Sequence, residues 1–193
     1  VALAGTIAAG LAAYFVLSLY VLPQSYQSTL QPKSPEPIIT NTTISAKEVK
    51  LGGTFTVFVE GTNVGDDDAE MQTVSIAFPN LTTTDNVRIL SHDFTREPLL
   101  VNAGRDIGSE YVGFERPVKA AYASVEASNL PWERGSAYSI KLEVKPNAEG
   151  RFVVFVKSIA LPHTWEGAHY PHEGIMDYQK EFVQPYWVQV TKT

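Results

Sequence analysis

The chain contains no cysteine. That alone excludes a disulfide framework, a zinc ribbon and a thiolate copper site. Basic residues are in deficit, with 15 Lys and Arg against 21 Asp and Glu and a formal net charge of −6. Nucleic acid needs a basic surface to meet its phosphates and is not an expected partner. The sequence also lacks a Gly-x-Ser-x-Gly elbow, a His-Glu-x-x-His helix and a Gly-rich phosphate loop. No nucleophile–base pair is visible from spacing, so the chain is not expected to be an enzyme. A further absence is local: no charged residue occurs before Lys33.

What stands in that charge-free stretch is apolar. Residues 1–22 are nearly all Ala, Leu, Val, Ile, Gly and aromatic. As a helix they would span about 33 Å, enough to cross a hydrocarbon core. Ala4, Ala8 and Ala12 would share one stripe, and Gly5, Ala9 and Ala13 the next. Small residues at that spacing let helix backbones approach closely. A helix is therefore expected over residues 1–30, with Pro23 able to bend it. Pro32, Pro35 and Pro37 mark a semi-rigid spacer over residues 31–37.

Residues 38–193 read as strands broken by turns. Residues 54–62 put Phe55, Val57 and Val59 on one face, and residues 72–78 put Val74, Ile76 and Phe78 together. In residues 137–144, Tyr138, Ile140, Leu142 and Val144 alternate with Ser139, Lys141 and Glu143. That period of two is a half-buried strand. Residues 151–161 are apolar on both faces and suit a central strand, and residues 186–190 form the last one. Weaker strands are expected at 39–44, 87–94 and 118–127. Glycine and asparagine punctuate the intervals. The expected fold class is mainly β: a long apolar N-terminal α-helix followed by an immunoglobulin-like antiparallel sandwich. Its core should hold Phe55, Val57, Val74, Ile76, Tyr138, Ile140, Leu142, Val154 and Val188.

Two resemblances follow from these residues. The run VALAGTIAAGLAAYFVLSLYVL, opening at Val1 with nothing basic before it, resembles the mature start of the type IV pilin superfamily, most of all archaeal pilins and archaellins. Bacterial pilins carry a glutamate at the fifth mature position, where this chain has Gly5; archaeal members commonly lack it. The passage KLGGTFTVFVEGTNVGDDDAEMQTVSI resembles archaeal cell-surface immunoglobulin-like modules, which share a strand, an Asn-x-Gly turn and a strand.

Three groups of residues are candidates for chemistry. His163, His169 and His172 lie within ten residues, with Glu166, Glu173 and Asp177 nearby. Imidazole and carboxylate are the ligands of zinc and copper, although this spacing matches no standard site. The alternative is an ordered loop packed by Trp165 and Tyr170. Asp66, Asp67 and Asp68 follow Asn63 in a turn; without the alternation of an EF-hand loop they read as a solvated acidic turn. Asn41-Thr42-Thr43 and Asn80-Leu81-Thr82 are N-glycosylation acceptors.

Two functions fit this organisation. In the first, the chain is a structural subunit of an extracellular helical filament that serves adhesion or motility. Its partners are copies of itself, with the membrane as host before assembly, and it needs no cofactor. In the second, it is a single-pass accessory subunit of a membrane complex whose sandwich binds a partner or a metal at the cell surface.

Overall fold

The structure is a computed structural model that describes residues 33–106, 119–162, 169, 171–177 and 182–192. All of these except Lys33 belong to a compact unit that begins at Ser34. Eleven strands occur among the described residues: β1 (Pro37–Ile44), β2 (Glu48–Lys50), β3 (Phe55–Asn63), β4 (Ala69–Phe78), β5 (Val87–His92), β6 (Leu99–Val101), β7 (Ala123–Asn129), β8 (Ala137–Val144), β9 (Gly150–Pro162), β10 (Ile175–Met176) and β11 (Phe182–Thr191).

These strands make two sheets. One runs β1-β3-β8-β5 and is antiparallel throughout. The other runs β10-β11-β9-β4-β7-β6, with β2 added parallel to β11. The chain therefore changes sheets between Ile44 and Glu48: β1 pairs with β3, and β2 crosses to β11. This division of the first strand, the four-stranded order and the β11–β9–β4 trio reproduce the layout of an immunoglobulin-like sandwich. The connectivity departs in the middle. After β4 the chain visits the outer edge as β5, then returns through β6 and β7 to flank β4.

The core follows from alternation. Phe55, Val57 and Val59 of β3 are buried, as are Ile140, Leu142 and Val144 of β8. Val74, Ile76 and Phe78 of β4 meet them from the other sheet, with Val154 and Val156 of β9 beside them. Lys141 and Glu143 face outward as expected. Tyr138, expected in the core, is only half-buried. Its ring meets Trp132 edge-on, with centroids 5.0 Å apart, and Phe94 at 5.7 Å. Trp132 is fully buried and comes from the loop before β8 rather than from a strand. Gly61 on β3 makes room there: a side chain at this position would meet Val74 and Trp132.

The expected fold class needs correction. The described chain is all-β, with strands only, rather than a mainly-β chain led by a long helix. Its apolar residues recur at period two between Gly, Asn and Pro turns, a pattern that buries one face of a strand and not the stripe of a helix. No helix among the described residues is long and apolar enough to cross a membrane. Residues 1–30, to which the helix was assigned, lie outside the described residues, as do the assembly positions Ala4, Gly5, Ala8, Ala9, Ala12 and Ala13.

Candidate functional site

The histidine cluster is only partly within view. His163 and Glu166 lie outside the described residues. The His169 backbone pairs with Ala160 in both directions, at 2.7 and 2.8 Å, which ties this point of the loop to the end of β9. His172 is exposed, and its ring centroid lies 5.1 Å from that of Phe182. Gly174, at φ 100°, turns the chain into β10, and a Cβ there would collide with the Val183 carbonyl. Among the described residues, no three His, Cys, Asp or Glu side chains come together in a way that could hold a metal ion.

The two glycosylation acceptors have different surroundings. Asn41 is exposed on β1, an edge strand, next to the irregularity that shifts the β1–β3 register between Ile39 and Asn41. Asn80 is exposed too, but its amide extends the sheet beyond the end of β4. Its Oδ1 accepts from Val153 N at 2.7 Å and its Nδ2 donates to Arg151 O at 3.3 Å.

The structure also assembles a cluster that spacing did not reveal, on the outer face of the larger sheet. Cross-strand register sets Glu126, Ser75 and Lys157 in one row and Ser124, Ala77 and Phe155 in the next. The Ser75 and Ser124 hydroxyls both donate to Glu126 Oε1, at 2.8 and 2.7 Å. Tyr122 stands edge-on to Phe155, with centroids 5.8 Å apart. Together with Asp177 these residues line a shallow cavity of about 50 Å³, room for a few waters. Two serines sharing one carboxylate oxygen form a bracket between β4 and β7. Ser75 and Glu126 are 51 residues apart, and only the β4–β7 register joins them. The one legible sign was a polar residue, Ser75, between the inward positions Val74 and Ile76.

Apolar side chains also reach the surface near the last strands. Trp187 on β11 is 58% exposed, with the Arg151 guanidinium 5.5 Å from its ring centroid. Ile175 and Met176 of β10 are exposed as well.

No protein-family model matches the chain. No curated protein matches it either. Among solved structures it is similar to a cohesin module from a Clostridium perfringens family 33 glycoside hydrolase, at 11% identity over 84% of this chain and 100% of that one, with a TM-score of 0.38. A CARDB domain from Pyrococcus furiosus, solved in complex with di-metal ions, is 10% identical over 82% of this chain and 90% of its own, with a TM-score of 0.40. A human ASH/PapD-like domain is 15% identical over 84% of this chain and 90% of its own, with a TM-score of 0.41.

Proposed function

We propose that this chain is a non-catalytic structural subunit of a filament at the cell surface. In this reading the apolar segment, residues 1–22, joins copies of the chain, and the sandwich is displayed outside. The observation that carries the proposal is the division of the chain. Thirty-two residues without a charge precede Lys33, and a compact unit with its own core begins at Ser34. The first 22 of these residues are nearly all apolar, and a stretch of that length requires an apolar surrounding. Copies of itself supply one, and a repeated head-to-tail contact of this kind extends into a filament. Before assembly the membrane supplies the same surrounding. The serine–carboxylate bracket agrees with a role in scaffolding, because its Ser75–Glu126 bond ties β4 to β7.

Electron microscopy of material sheared from cells that produce the full chain tests the proposal. Regular filaments composed chiefly of this chain support it. A membrane complex in which the chain is a minor subunit among different proteins would replace it with the anchored-accessory reading.

A further inference from the structure

The proline-rich residues before β1 are not a loose spacer where the structure describes them. Ser34 N donates to Asp66 Oδ1 at 2.9 Å, and Glu36 N donates to Asn63 Oδ1 at 3.0 Å. Val64 N donates back to Glu36 O at 2.9 Å. Pro35 and Pro37 are buried. Gly65 lies directly beneath this segment. A Cβ there would fall inside contact distance of Ser34 O, 2.5 Å from Glu36 N and 2.8 Å from the Pro35 carbonyl carbon.

The residue that receives the segment is itself locked. Asn63 is fully buried at the end of β3. Its Oδ1 also accepts from Gly65 N at 3.1 Å, and its Nδ2 donates to Asp67 O at 2.8 Å and Trp132 O at 3.4 Å. Its backbone O accepts from Gly135 N at 2.7 Å. Nearby, Asp68 Oδ1 accepts from Arg134 N at 2.8 Å. The three aspartates thus divide their work: Asp66 holds the incoming chain, Asp67 caps its own turn, and Asp68 holds the loop that carries Trp132.

We propose that residues 34–37 are a latch. They close on Asn63, Gly65 and Asp66, so that a pull on the preceding chain is resisted by the end of β3 and does not peel β1 from its sheet. β1 is an edge strand, and peeling it would break its hydrogen bonds to β3 one after another. The latch includes the first of those pairs, Pro37 with Asn63, and adds the Ser34 and Glu36 contacts ahead of it. The contacts to Asn63 are buried or half-buried, the Ser34–Asp66 contact is exposed, and both hold backbone amides, which suits a fastening that must not slide.

Limited trypsin digestion of the full chain tests the proposal, because exposed Lys33 abuts the latch. Cleavage there requires residues 34–36 to leave Asn63 and Asp66 and enter the protease. Appearance of the fragment that begins at Ser34 is followed by mass spectrometry. Hydrogen exchange is measured in parallel for the Ser34, Glu36 and Val64 amides. The wild-type chain is expected to resist cutting at Lys33 and to protect these amides. Gly65→Ala is expected to raise both rates by about tenfold or more, as a local opening would. Should Gly65→Ala fail to fold, Asp66→Ala carries the test: it removes only the acceptor of the Ser34 amide and is expected to speed cutting while leaving core-strand amides protected. Wild-type cutting at the rate of an unstructured peptide overturns the latch. So does equal cutting in the wild type and in a folded variant.

Discussion

At the residue scale, the most consequential side chains sit at the two ends of the sandwich. One end is closed by Phe55, Phe78 and Phe152, with Phe152 5.6 Å from Phe55 and 6.4 Å from Phe78 between ring centroids. The other is closed by Trp132, whose ring meets Phe94 at 5.5 Å and whose Nε1 donates to Ser136 O at 2.9 Å. Truncation to Trp132→Ala removes a fully buried ring and is expected to cost about 3–5 kcal/mol, read as a fall in the denaturation midpoint. A loss under about 1 kcal/mol would mean that the aromatic cluster does not close this end of the core. The two sequons are expected to separate on the same assay. Asn80→Ala removes both hydrogen bonds to β9 and should cost about 1 kcal/mol, whereas Asn41→Ala, on an exposed edge, should stay within about 0.5 kcal/mol. Equal effects at the two sites would show that the Asn80 amide does not support the sheet.

At the scale of elements, β8 offers the sharpest comparison. Leu142 and Lys141 are neighbours on one strand and face opposite ways. Leu142→Ala should cost about 2–5 kcal/mol and Lys141→Ala within about 0.5 kcal/mol, both by chemical denaturation. Reversal of that order would mean the strand register is wrong. This alternation was plain in the sequence, as it was in β3 and β4, because each of these strands has one buried face. The shortest strands were not legible. β2, β6 and β10 are two or three residues long, and they exist because a longer neighbour offers an open edge. β11 starts at Phe182, four residues before the strand expected at 186–190, since Gln184 and Pro185 interrupt the apolar pattern. Of the candidate sites, the histidine loop and the sequons could be named from sequence, because they are local. The Ser75–Glu126–Ser124 bracket and the Asn63 node could not, because strand register and loop closure bring their members together. The acidic turn shows the difference most clearly. In sequence it is a solvated run of aspartates, and in the structure each carboxylate accepts a backbone amide hydrogen bond.

At the scale of the whole molecule, the account rests on the contrast between an uncharged apolar segment and a sandwich that is complete without it. The sandwich carries its own core and a firmly held starting point, so a change within residues 1–22 is expected to alter assembly without unfolding the β unit. If the chain forms the proposed filament, Gly5→Leu should leave the β-rich circular dichroism spectrum and thermal midpoint of the detergent-solubilised chain unchanged while reducing filament yield several-fold. Loss of the β signal in that variant would contradict the separation. The absence of native cysteine makes the most direct test of self-association clean, since any disulfide must come from an introduced thiol. Full-length chain carrying Ala8→Cys would be produced in cells, oxidised in place and separated without reductant. The account predicts that the chain links to itself, giving a species of twice the monomer mass that contains this protein alone. Because a head-to-tail contact opposes different residues of the two copies, Ala4, Ala8 and Ala12 are also replaced by cysteine in pairs; chains that stay monomeric in every single and paired variant, or that link only to a different protein, would contradict it.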